Sequence, residues 1–541
     1  MVNFRPLVNP ESSRARRRAA VAVPTAVMLA LGLWGIDRGG MWRDEAVTFQ
    51  VARRTVPQIW RLLHGVDAVH GLYYLLMHAV LALHPGEVLL RLPSVCAAAL
   101  ATGLVAALGT RLARPRVGLW AGLLYAVTPM VGHYAQEGRS YALVAAGAAG
   151  ATLLLVRAVQ DGGRTWWAYG TVLGVTCWLH ELAVLLLLAH AGTLALARVP
   201  AGVWRGWGRA AGAVTLALLP MVVVSHAQSA QLAWVREPTV ETAGALLREF
   251  AGPTSGVYWA CLALAVLGLT RLVGGRGELT CAAVALPLAV VPPTVLMLAS
   301  RLTPLYVDRY VLYALAGAPL LVAAGADRVA ELLGRVGRTA GPLGRTDRTT
   351  GPLRPGRRQN PRVRAPLLTL AGVLAVALAF VHQLPVLRQD RSPDHRPDNL
   401  AAMSTDAARE LRPGDPVLFL PSHARSTALA YPAGFRGIRD VALAAGAPAS
   451  GTLYGREVDP DLLRRRLAGL DRVWVVAEKR FVRSPWYPGD PTDRAKLDLV
   501  RDRFALREEQ ARDGVVLRLY VRRTLATGSL VRPVRLRPGR W

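Results

Sequence analysis

The sequence contains little cysteine and few aromatic residues. Four cysteines occur in 541 residues, and aromatic residues make up 7%. The cysteines all lie inside apolar runs, at Cys96, Cys177, Cys261 and Cys281. Cysteines in such runs behave as small core residues, so the sequence offers neither a disulfide framework nor a metal-ligand spacing. No internal repeat of fixed period occurs.

Acidic residues are also scarce, with 36 Asp and Glu against 65 Lys and Arg, a net charge of +29. In a soluble chain this excess would indicate a nucleic-acid binder. Hydropathy excludes that class, because mean hydropathy is +0.28 and 52% of residues are hydrophobic. Apolar runs of roughly 17 to 25 residues recur between residues 20 and 385, and each is long enough to cross a bilayer as a helix. The sequence therefore predicts a polytopic membrane protein.

We predict about eleven membrane spans, near 19–36, 93–110, 118–133, 140–156, 167–180, 182–197, 211–226, 255–270, 280–299, 309–326 and 366–384. The first is expected to be a retained helix, because its apolar stretch is longer than that of a cleaved signal. The apolar stretch 71–84 is too short to span and contains two histidines. We interpret it as a re-entrant or interfacial helix.

Arginines set the predicted orientation. With 71–84 not spanning, one side of the membrane holds many more arginines than acids, whereas on the other side the two are balanced. The arginine-rich side is expected to be cytoplasmic and to include the N-terminus. The Pro-, Gly- and Arg-rich stretch 331–365 then becomes a disordered cytoplasmic loop within a membrane domain of residues 1–385.

Residues 386–541 have the composition of a water-soluble module. The pattern predicts an amphipathic helix that ends at Gly414, a strand at 417–421, a strand at 471–479, a helix near 491–503 and a strand at 514–523. No glycine-rich phosphate loop opens these helices. We expect a small extracytoplasmic α/β domain attached to a mainly α membrane protein of the cell envelope.

Polar residues cluster at the outer ends of the predicted spans. Asp44 and Glu45 are adjacent carboxylates just after the first span, although acids in the first turn of a helix are also favoured by its dipole. Glu137 and Arg139 open a later membrane helix, where they either pair with each other or serve function. His180 lies at the join of two apolar segments and has a structural alternative as well.

Two further clusters lie on the same side. Trp234 lies in an outer loop, where an interfacial aromatic anchor is an equally good interpretation. Arg301, Arg309 and Tyr310 lie at the outer mouth of a helix, where arginines either snorkel or contact phosphate in bidentate fashion. Because nucleotide-activated compounds are scarce outside the cell, a lipid phosphate is the substrate that such a site fits. The arginines would neutralise the phosphate and a carboxylate would act as general base.

The residues resemble a known family. The segments WRDEA (42–46), YAQEGRSYAL (134–143) and YVDRY (306–310), together with DAVHGLYYLLMH (67–78) and EVLLRLPSV (87–95), resemble the family 39 group of C-type membrane glycosyltransferases. That group includes protein O-mannosyltransferases and the transferase that adds aminoarabinose to lipid A. The resemblance covers roughly residues 20 to 385 and leaves the C-terminal domain outside it.

The resemblance implies inverting transfer of a sugar, mannose in many relatives, from a polyprenyl-phosphate carrier to a lipid, protein or cell-wall glycan acceptor. It implies that Asp44 is the catalytic base, Glu45 its companion and Glu137 a further acid, while Arg139 and Arg309 contact the donor phosphate. The remaining candidate substrate-binding residues are Arg43, His70, Tyr134, Gln136, Tyr141, His180, Trp234, Arg301, Tyr306 and Tyr310.

The sequence departs from the family at two points. His70-Gly71-Leu72 replaces the proline pair that commonly follows the loop histidine, and Glu137 stands where several relatives use Asp. The second departure weakens the case for a metal ion. A divalent cation at the outer carboxylates remains compatible with the sequence, although no independent ligand set is present. Alternative functions are a transporter or flippase, which should show inverted repeats and mid-membrane charges, and a non-catalytic scaffold.

Overall fold

The computed structural model describes residues 10–162, 165–339, 361–392, 395, 398–479, 488–512 and 514–523. Up to Asp390 the regular elements are helices: α1 (Pro10–Leu33), α2 (Arg43–Ala52), α3 (Val56–Leu63), α4 (Gly71–Leu81), α5 (Glu87–Leu112), α6 (Pro115–Val127), α7 (Pro129–Ala135), α8 (Tyr141–Asp161), α9 (Thr165–Leu179), α10 (Leu186–Leu196), α11 (Ala201–Ala227), α12 (Val240–Ala251), α13 (Ser255–Gly268), α14 (Cys281–Ala299), α15 (Gly317–Thr339) and α16 (Pro361–Asp390). Short 3₁₀ segments at Ala68–His70, Glu181–Leu185 and Asp308–Ala316 join some of them.

Within the described residues, six helices are long and apolar enough to cross a membrane. They are Glu87–Leu112, Tyr141–Asp161, Ala201–Ala227, Cys281–Ala299, Asp308–Leu333 and Pro366–Asp390. A seventh span would be α12 with Ser255–Arg271, which bend by 85° at the break between them. The multi-span membrane protein is thus confirmed, while the number of eleven spans stays a prediction.

Two of the predicted spans are interrupted in the structure. The span expected at 118–133 is split into α6 and α7, because Thr128 is extended and Pro129 has no N–H to continue the helix. The span expected at 182–197 opens as a 3₁₀ turn over Glu181–Leu185 before α10 begins. In agreement with the prediction for 71–84, α4 has 11 residues and is about 16 Å long, half of a bilayer core.

The predicted disordered loop 331–365 is partly helical. Helix α15 continues to Thr339 and α16 begins at Pro361, so both ends of that stretch extend neighbouring helices and the expectation was wrong there. Residues 340–360 lie outside the described residues. Helix α16 also continues past the predicted domain boundary at residue 385, to Asp390.

Helices α5 and α8 connect two chemically different faces of the bundle. At their C-terminal ends, Arg111 pairs with Asp161 at 2.7 Å. Arginines that open α6 pair nearby with acids of α15, as in Arg116 with Asp327 at 2.6 Å. At their N-terminal ends lie the first turn of α2, which carries Asp44, and the loop between α7 and α8, which carries Glu137. The carboxylates singled out by the sequence therefore lie on the face opposite these arginine pairs.

Close contact between helices α13 and α15 depends on two glycines. A Cβ on Gly325 of α15 would lie 1.8 Å from the Leu264 carbonyl oxygen, and one on Gly268 of α13 would lie 2.3 Å from the Leu321 carbonyl oxygen. Small residues allow membrane helices to approach closely and gain van der Waals contact. These two positions fix the α13–α15 crossing.

The C-terminal domain is a small α/β unit. Its strands are β1 (Pro416–Leu420), β2 (Arg439–Asp440), β3 (Leu443–Ala445), β4 (Arg456–Glu457), β5 (Arg472–Glu478), β6 (Phe504–Ala511) and β7 (Val515–Arg522), and its helices are α17 (Leu400–Glu410), α18 (Ser426–Ala430), α19 (Ala447–Ser450), α20 (Pro460–Ala468) and α21 (Pro491–Arg503). The main sheet has the order β2-β1-β5-β7-β6. Strand β1 pairs in parallel with β2 and β5, whereas β7 pairs antiparallel with β5 and β6.

The predicted strands correspond to β1, β5 and β7, and the predicted helix at 491–503 is α21. The first helix, expected to end at Gly414, ends at Glu410 because Pro413 and an extended Leu411 follow it. The sequence analysis missed β6, whose residues 507–510 are all polar and whose apolar pattern is therefore weak. It also missed the short strands β2, β3 and β4. Apolar residues of β1, β5, α20 and α21 form the buried core of the domain.

The C-terminal domain docks on the segment that begins with α2. The Tyr431 hydroxyl accepts a hydrogen bond from the Met41 N–H at 2.6 Å and donates one to Glu87. Arg54 and Arg61 donate to the carbonyl oxygens of Leu453 and Ala449, at 3.4 and 3.5 Å. The domain therefore covers the face that carries the adjacent carboxylates.

Candidate functional site

A buried ion pair positions helix α2 and separates its two adjacent carboxylates. Arg91 of α5 donates two hydrogen bonds of 2.9 Å to the two carboxylate oxygens of Glu45, and both side chains have 0% exposure. Arg91 also donates to the carbonyl oxygens of Ile36 and Gly40, at 2.9 and 3.1 Å. The Gly138 N–H donates to Glu45 at 2.9 Å. One guanidinium thus joins α5, the 36–40 loop and α2.

Asp44 is the open member of the carboxylate pair. Its side chain is 24% exposed and its Oδ2 lies 3.6 Å from Nη2 of Arg309. Successive residues in the first turn of a helix point about 100° apart, so when Glu45 faces Arg91 its neighbour faces outward. Asp44 can therefore reach a substrate that Glu45 cannot.

Arg309 is surrounded by aromatic side chains. It lies on the 3₁₀ segment Asp308–Ala316, and its Nε donates to the Tyr141 hydroxyl at 3.1 Å. Its guanidinium carbon lies 5.7 to 5.9 Å from the ring centres of Tyr141, Trp234 and Tyr310. Aromatic faces attract a cation and here hold the guanidinium beside Asp44. The His180 ring packs on Tyr310 at 4.8 Å between centroids.

Arg139 lies in a buried polar cluster beside helix α2, in contact with Thr48. Its Nη2 donates to His70 Nε2 at 2.7 Å and its Nη1 to the Thr48 hydroxyl at 3.4 Å, whereas its Nε has no hydrogen-bond partner among the described residues. Burial and the Arg139 charge lower the pKa of His70 well below its ordinary value. The neutral imidazole therefore accepts a hydrogen bond from Arg139 and orients the guanidinium.

Asp67 belongs to the cluster and was missed by the sequence analysis. Its backbone φ of 58° lies in the left-handed region, which non-glycine residues adopt mainly when they are Asn or Asp. The Tyr74 hydroxyl donates to its Oδ2 at 2.7 Å. Burial raises the pKa of Asp67, and Arg139 opposes that rise. An acid three residues before His70 in the loop was the available signal.

Glu137 is a buried carboxyl group without a hydrogen bond. Neither of its carboxylate oxygens has a hydrogen-bond partner among the described residues, and His133 Nε2 lies 3.9 Å from Oε2. Burial raises its pKa to about 7, while His133 and Arg309 oppose the rise. Glu137 is therefore an ionisable group poised near neutral pH on the Arg309 side of the site.

The structure brings together Asp44, His70, Glu137, Arg139, Tyr141, His180, Trp234, Arg309 and Tyr310 from the sequence candidates. Tyr134 packs on Tyr141 with 5.7 Å between ring centroids, behind these residues. Arg301 is exposed and Tyr306 is buried without a hydrogen bond to its hydroxyl; no described contact joins either to Asp44. Gln136 donates to the carbonyl oxygens of Gly32 and Trp34, both at 2.8 Å, which ties its loop to α1.

Arg43, also a sequence candidate, points to the C-terminal domain. Its Nη1 lies 2.6 Å from Glu478 Oε1, and its backbone N–H donates to Asp398 at 3.4 Å. His423 contacts the same Glu478 oxygen. Sequence reasoning could not find Glu478 or His423, because they are more than 370 positions from Arg43.

Among the described residues, no group of three or more His, Cys, Asp and Glu side chains is arranged to hold a metal ion. A separate apolar cavity of about 460 Å³ lies between α6, α13, α15 and α16, lined by residues such as Trp120, Val257 and Gly372. None of the polar cluster lines it.

Comparison with known proteins identifies the fold. ArnT from Cupriavidus metallidurans in the apo state aligns over 92% of this chain and 97% of its own, with 14% identity and a TM-score of 0.53. The same protein bound to undecaprenyl phosphate aligns over the same shares, with 15% identity and a TM-score of 0.53. The archaeal oligosaccharyltransferase AglB from Archaeoglobus fulgidus, in complex with an inhibitory peptide and a dolichol-phosphate, aligns over 86% of this chain and 70% of its own, with 10% identity and a TM-score of 0.48.

The chain is a membrane protein with the C-type glycosyltransferase fold, as the sequence resemblance predicts. Residues 71–227 match the family model described as dolichyl-phosphate-mannose-protein mannosyltransferase. No curated protein matches the sequence.

Proposed function

We propose that the chain transfers a sugar, with inversion, from a polyprenyl-phosphate carrier to an acceptor hydroxyl at the extracytoplasmic face of the cell membrane. The observation that carries the proposal is an open carboxylate, Asp44, beside Arg309, with a second buried arginine, Arg139, on Thr48 one turn further along the same helix, in a C-type glycosyltransferase fold. A base beside a phosphate-binding pair is the minimum that this reaction needs.

In the proposed reaction the acceptor oxygen attacks the anomeric carbon of the sugar while the bond from that carbon to the phosphate oxygen breaks. Asp44 takes the acceptor proton. The polyprenyl phosphate leaves with its bonding electrons, and Arg309 and Arg139 stabilise the charge that develops on it. Guanidinium groups suit this task because their planar donors match phosphate oxygens.

Glu45 has a positioning role in this proposal rather than that of a second catalytic acid, because Arg91 engages both of its oxygens out of contact with solvent. Burial raises the pKa of Glu137 to about 7. Because Glu137 lies near Arg309, we assign it an effect on the charge around the donor phosphate. We do not assign it the role of the base that takes the acceptor proton.

Mannose is the sugar that we favour, because residues 71–227 match a mannosyltransferase family model. The outward orientation of the site is supported by the arginines on the opposite face of the bundle, such as Arg111 and Arg116. An excess of arginine is typical of the cytoplasmic side of a membrane protein. Transport of a lipid-linked glycan fits less well, since the polar cluster joins helix ends and loops rather than the middle of broken spans.

Purified protein in lipid vesicles, supplied with a panel of radiolabelled polyprenyl-phosphate sugars and a cell-envelope extract as acceptor, tests the proposal. Label should leave one donor, and Arg309→Met should slow its release at least tenfold, the effect of one lost charged hydrogen bond. Arg301→Met is the matched control, because Arg301 is an exposed arginine of the same outer region. No release from any donor, or equal effects of both substitutions, would contradict the proposal.

A further inference from the structure

The C-terminal domain presents a specific edge of its sheet to the membrane domain. Strand β1 has β2 on one side and β5 on the other, and the chain leaves β1 toward β2 before it returns to β5. The gap between β1 and β5 is therefore a topological switch point, where open α/β sheets bind ligands at the carboxyl ends of their strands. His423 follows β1 and Glu478 ends β5, so both lie at this edge.

The switch point faces the catalytic segment. Glu478 pairs with Arg43 at 2.6 Å, and Arg43 directly precedes Asp44 in the chain. The pair is not sealed from solvent, because the Arg43 side chain keeps 32% exposure while Glu478 keeps 9%. The contact therefore differs from the Arg91–Glu45 pair, in which both side chains have 0% exposure.

A tyrosine of the C-terminal domain, Tyr454, lies beside the contact between Glu478 and Arg43. Arg54 of the membrane domain donates to the Leu453 carbonyl oxygen, and Arg425 donates to that of Tyr454 at 3.0 Å. Arg425 is itself held by an ion pair with Asp440 at 2.6 Å. The carbonyl groups of Leu453 and Tyr454 are therefore each bonded to an arginine, one from the membrane domain and one from the C-terminal domain.

The Tyr454 and His423 rings lie 6.1 Å apart between centroids, and His423 contacts the same Glu478 oxygen that pairs with Arg43. Tyr454 therefore lies at the same contact between the two domains, and its hydroxyl can donate a hydrogen bond. An acceptor hydroxyl beside Asp44 must give its own proton to Asp44 while its oxygen accepts a hydrogen bond from another donor, and the Tyr454 hydroxyl is a donor of that kind.

We propose that the C-terminal domain forms the acceptor side of the active site, with Tyr454, and Glu478 acting through Arg43, as positioning residues for the acceptor hydroxyl beside Asp44. The donor phosphate then belongs to the membrane domain, at Arg309 and Arg139. This inference rests on the proposed function, and it assigns the two substrates to different domains.

The test compares acceptor use with donor use in the full-length chain in vesicles. The probe is the labelled polyprenyl-phosphate sugar that the wild type accepts, with a cell-envelope extract titrated as acceptor. Transfer to the extract and release of free sugar to water are measured side by side. Glu478→Gln and Tyr454→Phe should each raise the half-saturating concentration of extract about tenfold, the effect of a hydrogen bond lost at a charged site. Release to water should stay unchanged.

Matched controls lie in the same domain. Glu509 also pairs with an arginine, Arg518, at 2.6 Å and has 11% exposure, so Glu509→Gln removes a similar ion pair far from Asp44. Tyr520→Phe removes a hydroxyl of similar burial, to which Arg518 donates at 3.2 Å. Neither substitution should change the half-saturating concentration.

The proposal is overturned if Glu478→Gln behaves like Glu509→Gln, or if release to water falls in parallel with transfer, since a domain contact that is merely structural would reduce both. A wild type that releases sugar from no donor contradicts the proposed function itself. That outcome is distinct from normal transfer with an unshifted acceptor dependence, which contradicts only the role of the C-terminal domain.

Discussion

Replacement of Glu45 by glutamine separates a structural role from a catalytic one at the carboxylate pair. Glu45 and Arg91 are both fully buried, and the carboxylate accepts three hydrogen bonds of 2.9 Å, two from Arg91 and one from Gly138. Glu45→Gln keeps one acceptor oxygen but turns an amide N–H₂ toward the guanidinium, and it leaves the arginine charge without a counter-ion.

Breaking a buried ion pair by removal of one partner costs about 3–5 kcal/mol. The carbonyl oxygens of Ile36 and Gly40 still accept from Arg91, so we expect the lower end, about 3 kcal/mol. That is about a hundredfold in the ratio of folded to unfolded protein. Removal of both charges, Glu45→Leu with Arg91→Met, should cost less than the sum of the two single changes, because no uncompensated charge then remains.

The assay is thermal unfolding of the purified variants in detergent, with sugar transfer measured well below the midpoint and divided by the folded fraction. Glu45→Gln should lower the midpoint clearly and keep transfer per folded molecule within about tenfold of the wild type. A catalytic acid would instead account for about 10²- to 10⁴-fold of the rate. A wild-type midpoint together with lost transfer would refute the positioning role.

Three further predictions concern the neighbouring elements. Burial raises the pKa of Glu137 from 4.5 to about 7, so between these pH values the folded state holds a proton that the unfolded state has lost, and the free energy of unfolding falls as pH rises. Glu137→Gln should flatten this decline in melting midpoints measured from pH 5 to 8. An unchanged slope would contradict the buried location of Glu137. Asp67→Val should be about 1–2 kcal/mol less stable than Asp67→Asn, since only Asn tolerates the left-handed backbone, and equal midpoints would argue against that conformation. Gly325→Val should reduce folded protein because its Cβ meets the Leu264 carbonyl at 1.8 Å, whereas Gly212→Ala, with nothing within 4 Å, should not; equal yields would contradict the crossing.

Much of the membrane domain follows from apolar run length, because a bilayer requires about 20 apolar residues for each helical crossing. Helix breaks do not follow from it. The interruption at Thr128 depends on one proline, and the 3₁₀ start at Glu181 depends on contacts made in three dimensions. The strand β6 was missed for a similar reason, since its polar face hides the alternation that marks a strand.

The candidate site was predicted where chemistry and position along the chain coincide. Asp44 stands out as an acid after a membrane span, and Arg309 as an arginine at the mouth of a helix. Arg301 carries the same local signal and lies outside the cluster, because membership depends on packing between distant segments. Glu478 and Tyr454 carry no local signal at all, since their place at the contact with Arg43 depends on how a second domain docks.

Transfer by Asp44→Asn tests the central claim most directly. In vesicles supplied with the accepted polyprenyl-phosphate sugar, this variant should keep the wild-type melting midpoint and donor binding and lose at least a hundredfold in transfer rate, the loss expected for a general base. Asp37→Asn, an exposed acid of the preceding loop, should transfer at the wild-type rate. Undiminished transfer by Asp44→Asn would contradict the account.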